Sequence, residues 1–193
     1  AAVGFRLLYE SGMLPEVLPA VSWSDHLKRC LALIPLNASV DFAFGVLLHD
    51  VSPDNARQVA EDLRLSGLEI QHVVSLVKNL PQFKTLRSSS VSATKRFIRM
   101  PRFQDYLELA RICATAAGGS MDEYDFAVQM TRKWSPEELA PPPLISGDDL
   151  IRMGFLPGPL FKEILTRVED LQLEGRLKTS QDALDFVREK WAM

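Results

Sequence analysis

The stretch "FGVLLHDVSPDN", Phe44 to Asn55, sets His49 and Asp50 at the end of an apolar run, and His26 precedes them in "SWSDHLKRCLALI". Imidazole and carboxylate are donors for a divalent metal, and a metal held this way can activate water for hydrolysis. Such a site needs several donors meeting at one point, and the chain has three histidines: His26, His49 and His72. His72, alone in "EIQHVVSLV", reads as an ordinary helix residue. Cys30 and Cys113 show no CxxC or Cys/His spacing and read as reduced, buried thiols of a cytoplasmic protein. There is no nucleophile elbow, P-loop, dinucleotide-binding glycine pattern or carboxylate block of the kind that holds magnesium for nucleotidyl transfer. Asp148-Asp149 in "GDD" looks like an acid pair, but neighbours on a helix point about 100° apart. Ser146 capping a helix whose first turn is acidic accounts for it better.

These residues sit in a chain dominated by helix signals. Of its 193 residues 47% are hydrophobic, enough for a real core, and no apolar run approaches the roughly 20 residues of a membrane span. Apolar positions recur at three and four, and strand-like alternation is scarce. Ser66-Gly-Leu-Glu69, Ser120-Met-Asp-Glu123 and Ser135-Pro-Glu-Glu138 have the form of capping boxes, and Ser52-Pro53 starts a helix with proline at its first position. Helices are predicted near 3–10, 23–34, 39–49, 53–65, 67–79, 93–99, 102–117, 121–133, 147–153, 158–173 and 180–191. "APPPLISG" is stiff, because proline fixes its own backbone and biases its predecessor, and it marks the best internal boundary at 140–145. The chain opens on Ala1-Ala2 without an initiator Met, so a piece of a longer protein is expected. The aromatic residues, among them Phe42, Phe97, Phe103, Tyr106, Phe161 and Trp191, fall at helical spacing and belong to packing rather than base stacking.

The order His26, then His49-Asp50, resembles the helical phosphohydrolase group called the HD domain, whose ligands come as His, His-Asp and a later Asp. The closing aspartate would fall near "LELARICATAAGG", where Ile112-Cys113 stands instead, and "LVKNL" has Asn79 where similar sequences show His. The expectation is a metal-free relic in which His26, His49 and Asp50 are vestigial, with His49 and Asp50 hydrogen-bonded at a helix end. A metal-dependent phosphohydrolase working through those three residues is the alternative.

The run "ISGDDLIRMGFLPGPLFKEILTRVEDLQLEGRLKTSQDALDFV", Ile145 to Val187, reads as a short capped helix, a Gly-Pro turn, a longer amphipathic helix ending at Gly175 and a last helix capped by Thr179. It resembles the C-terminal domain of the bacterial tRNA nucleotidyltransferase and poly(A) polymerase family, the CCA-adding enzymes. The match is carried by Ser146, Gly147, Asp149, Leu150, Gly154, Pro157, Gly158, Pro159, Leu165, Gln172, Leu173, Glu174, Gly175, Thr179, Ala183 and Leu184, and Lys162 departs from a common glycine. Upstream, "LLYESGMLPEVLPAV" and "RFIRMPRFQDYLELARICATAAGG" are similar to the segments flanking an HD-like region in that family.

The resemblance implies an all-α, multi-helix array: linking helices at 1–22, a degenerate HD-like domain at 23–139 and a small helical tail at 140–193. It also implies a missing N-terminal catalytic head that would use magnesium with CTP and ATP, so no catalytic residue, metal or cofactor is expected in this portion. Its expected work is to hold tRNA or another RNA while the head extends the 3′ end. A dimerisation element is a further alternative, and no membrane association is expected.

Net charge is −3, but Lys84, Arg87, Lys95, Arg96, Arg99 and Arg102 fall in a segment without an acid, leaving 16 basic residues against 25 acidic ones elsewhere. Such a cluster would neutralise phosphates and give salt-sensitive affinity with little dependence on sequence. Lys95, Arg96 and Arg99 share one helix face at spacings of three and four. Changing all three to Glu is expected to weaken tRNA binding at low salt and to leave helical content unaltered; the alternative is a solvated basic surface that merely balances nearby acids.

Overall fold

Serine hydroxyls set six of the helix starts. A computed structural model describes residues 2–191, which form fourteen α-helices and one 3-10 turn with no strand among them. The elements are α1 (Ala2–Glu10), α2 (Leu14–Val17), α3 (Asp25–Ala32), α4 (Val40–Leu47), α5 (Pro53–Asp62), α6 (Gly67–Asn79), α7 (Gln82–Thr85), the 3-10 turn Leu86–Ser88, α8 (Val91–Ile98), α9 (Phe103–Ala117), α10 (Asp122–Lys133), α11 (Pro136–Leu139), α12 (Gly147–Arg152), α13 (Pro159–Leu173) and α14 (Ser180–Trp191). Ser24, Ser52, Ser66, Ser90, Ser135 and Ser146 each accept a hydrogen bond from a backbone N–H of the first turn, satisfying a donor the helix cannot. The boxes at Ser66/Glu69 and Ser135/Glu138 form as predicted. At Ser120 the hydroxyl instead accepts from Asp122 N, only two residues on, and Glu123 turns towards Arg87. Gly154 and Gly175 end α12 and α13 at positive φ, a conformation other residues resist.

The chain divides into two units that do not follow chain order. Residues 1–87 and 102–129 form one; residues 88–101 and 130–193 form the other. In the first unit, α4 packs on α3, α6 and α9, with α5 against α6 and α1 against α3. Its core is aliphatic: Leu31, Val46, Leu47, Leu48, Val73, Leu76, Leu109 and Ile112 are almost fully buried. Gly45 permits the close approach of α4 and α6, because a Cβ there would stand 2.5 Å from Leu76 Cδ1. Leu76 is fully buried and has little room to turn aside. Gly45→Ala is therefore expected to cost about 1–3 kcal/mol, the usual range for overpacking, measured by urea unfolding; an unchanged midpoint would show that Leu76 moves freely.

The second unit is organised by α13. Ile145, Leu150, Ile164, Val168, Ala183 and Val187 form its buried cluster, joining α12 and α14 to α13. Helix α8 packs on α13 and meets α11. The resemblance groups residues 88–101 with the HD-like domain at 23–139, but the contacts of α8 are with a helix some 70 positions later.

Candidate functional sites

The six basic residues fall in both units and have different surroundings. Lys84, on α7, is exposed. Arg87 donates to Asp122 O at 2.8 Å, has its Nε 3.8 Å from Glu123 and sits over the Phe126 ring at 5.2 Å, with half its side chain open to solvent. Lys95 is only 8% exposed; its Nζ donates to Leu173 O at 2.9 Å and lies 5.3 Å from the Trp134 ring centroid. Leu173 is the last residue of α13, so the ammonium meets an unsatisfied carbonyl at the negative end of a helix. Arg96 bridges Glu169 at 2.5 Å and Asp170 at 3.1 Å, and Arg99 meets the other Glu169 oxygen at 2.5 Å and Leu139 O at 3.3 Å. The expected solvated face of α8 is therefore directed largely into its own unit, where three cations meet two carboxylates and helix-end carbonyls. Burial would raise the Glu169 pKa, but the hydrogen bond from Arg99 and the charges of Arg96 and Arg99 outweigh it and keep the carboxyl low.

Arg102 has a structural part in the first unit. It occupies the left-handed region, φ +58°, and its guanidinium grips Asp41, donates to Ser39 Oγ at 3.0 Å and reaches Asp105 at 2.8 Å. Asp41 is 4% exposed. Burial alone would raise its pKa, but hydrogen bonds from Arg102 and Ser39 and the Arg102 charge prevail and hold it at about 2. His72, read as an ordinary helix residue, hydrogen-bonds Asp105 at 3.1 Å, and burial keeps its pKa low.

The sequence did not single out Lys78, exposed in the last turn of α6. From Ile70 to Gln104 the chain has no acidic residue, and this longer window would have revealed it.

His26 and His49 do come together, with ring centroids 5.2 Å apart. Helix α3 carries His26 and Cys30 on one face, at positions four apart; His49 follows α4, and α9 supplies Cys113. Cys30 Sγ lies 3.5 Å from His26 Nε2, and His49 Nδ1 is 2.8 Å from Val46 O. Burial pushes the His49 pKa down. The neighbouring thiol and burial push the Cys113 thiol up. A cavity of about 390 Å³ opens beside the cluster, bordered also by Asp50, Lys84, Glu123 and Tyr124. Cys30 and Cys113, read only as buried thiols, are thus neighbours of the histidines; the step of four from His26 to Cys30 is a local signal for that pair, whereas Cys113 lies 83 positions beyond Cys30 and no local spacing reveals it.

The described residues form an all-helical body with capped short helices and a Gly-Pro-linked tail. The profile described as "tRNA nucleotidyltransferase domain 2 putative" matches residues 38–187, and the chain belongs to that family. It is similar to the A-adding tRNA nucleotidyltransferase of Halalkalibacterium halodurans, 36% identical over 106 residues, covering 49% of this chain and 23% of that protein. It is also similar to the CC-adding tRNA nucleotidyltransferase of Synechocystis sp., 26% identical over 133 residues, covering 66% of this chain and 31% of that protein. The chain thus spans less than a third of either relative. No solved structure matches it significantly. No helix among the described residues is long and apolar enough to cross a membrane.

Proposed function

We propose that this chain is the RNA-holding portion of a tRNA nucleotidyltransferase and positions the substrate for 3′-end nucleotide addition by a catalytic head outside it. That head would use magnesium with CTP or ATP. Family membership over residues 38–187 carries this reading, since the similar proteins are named for adding A or CC to tRNA. Template-free addition depends on where the RNA end is held, so a body that fixes it contributes through orientation.

Among the six basic residues, the structure favours Lys84 and Arg87 as phosphate contacts, joined by Lys78. They lie in one unit, within an acid-free run, and none is committed to a buried carboxylate. Changing Lys78, Lys84 and Arg87 together to Glu is expected to weaken tRNA binding about tenfold or more and to flatten the dependence of log affinity on log salt by about 2–3, near one per lost phosphate contact. Filter binding at several salt concentrations reads both quantities, and far-UV circular dichroism checks the fold. Affinity and slope equal to those of the unaltered chain would remove this surface from the reading.

A further inference from the structure

We propose that His26, Cys30, His49 and Cys113 form a Cys2His2 site for a single zinc-class ion. One donor atom from each residue can be chosen so that all four lie within 4.8 Å of one another. In tetrahedral zinc coordination, bonds of about 2.3 Å to sulfur and about 2.0–2.1 Å to nitrogen put neighbouring donors roughly 3.3–3.8 Å apart. The 3.5 Å separation of Cys30 Sγ and His26 Nε2 already fits that figure. The others need a contraction of at most about 1.5 Å, within reach of side-chain rotation.

The independent sign of a ligand is His49. It is 9% exposed, and its Nε2 is buried with no hydrogen-bond partner. A backbone carbonyl only accepts, so Nδ1 must carry the proton it donates to Val46 O, and Nε2 is left as a bare lone pair. Leaving a buried lone pair unsatisfied costs free energy, whereas this same arrangement, one ring nitrogen tied to a carbonyl and the other free, is how metal-ligating histidines are commonly oriented.

The donor set also selects the metal. The HD-type order implies His, His-Asp and Asp, but Cys113 stands where the closing aspartate was sought and Cys30 lies one turn beyond His26. Two thiolates with two imidazoles favour zinc over magnesium or manganese. Binding displaces one proton from each thiol, so Zn²⁺ with two thiolates and two neutral imidazoles makes an uncharged centre and releases two protons. Four protein donors close the coordination shell, so the ion would join α3, the end of α4 and α9 rather than activate water.

The test is metal analysis of the whole chain purified under reducing conditions, followed by zinc titration of the metal-free protein against a chromophoric chelator. About one zinc per chain is expected, with Cys30→Ala, Cys113→Ala and His49→Gln each lowering affinity roughly a hundredfold or more. Asp50→Asn should leave it unchanged, since Asp50 is not one of the four. If a cysteine variant fails to fold, cobalt added to the unaltered protein decides: sulfur-to-cobalt charge-transfer absorption and tetrahedral visible bands support the site. Wild-type zinc affinity within about threefold of Cys113→Ala, a Cys30–Cys113 disulfide in metal-free protein, or absence of the charge-transfer band overturns it.

Discussion

Lys95→Glu is expected to destabilise the unit built from residues 88–101 and 130–191 by about 3–5 kcal/mol, the usual cost of leaving a buried charge uncompensated. The wild-type ammonium, 8% exposed, donates to Leu173 O and faces the Trp134 ring. A carboxylate in its place would be pressed towards the carbonyl end of α13 and the negative face of an indole. Lys95→Met keeps most of the aliphatic stem and removes only the charge and its hydrogen bond, so about 1–3 kcal/mol is expected. Thermal unfolding followed by circular dichroism, with Trp134 fluorescence as the local probe, measures both. A Lys95→Glu chain that melts with the wild type would show Lys95 to be surface charge after all. By contrast, Lys84→Glu should leave the midpoint within the roughly 0.5 kcal/mol typical of exposed positions. The two lysines therefore separate RNA contact from bracing, which the combined exchange of Lys95, Arg96 and Arg99 cannot do.

Arg102→Ala is expected to cost about 3 kcal/mol at neutral pH, because Asp41 would remain buried with its cationic partner removed. The figure sits at the lower end of that range because the Arg102 side chain itself is 45% exposed. Arg102→Gly should be about 1 kcal/mol less damaging than Arg102→Ala, since φ +58° strains any residue with a Cβ. The pair also fixes the acid response of the wild type. The folded-state pKa of Asp41, about 2, lies below the roughly 3.9 of an unfolded aspartate, so the native state holds its proton less tightly. The resulting stability, about 2.5 kcal/mol, is fully present above pH ~5 and is lost progressively as pH falls through ~4 towards 2. In Arg102→Ala, burial is opposed mainly by the Ser39 hydrogen bond and the Asp41 pKa rises, so most of that part of the acid loss should vanish. Urea unfolding at pH 7, 4 and 3 follows the stability, and an NMR titration of Asp41 reads the pKa; identical acid limbs in the two proteins would rule the pair out as their cause.

Much of the architecture was legible because its signals are local. Ser66 with Glu69 starts α6 at Gly67, and Thr179 with Asp182 holds the start of α14. The one-turn helices α2 and α7 were not predicted as elements, and α11 only as a capped start at Ser135, since four residues are too few to show a 3.6-residue period. The basic segment was legible as charge but not as contact. Lys95 and Arg96 find their partners more than 70 positions away, and summing charges along the chain says nothing of where Glu169 or Leu173 will stand. The histidine pair was legible in its order, while Cys113 joins it only because α3 meets α9.

The chain passes between its two units at 87/88, 101/102 and 129/130, and this interleaving limits how the molecule can be cut. Scission at the rigid Pro141–Pro143 joint would release a tail without α8, exposing the groove along α13 and stranding Glu169 and Asp170 without their arginines. During synthesis α8 leaves the ribosome some 70 residues ahead of the helix that receives it. The second unit can therefore close only after α13 has emerged, and expressing the proline-bounded segment by itself is a poor route to a folded tail.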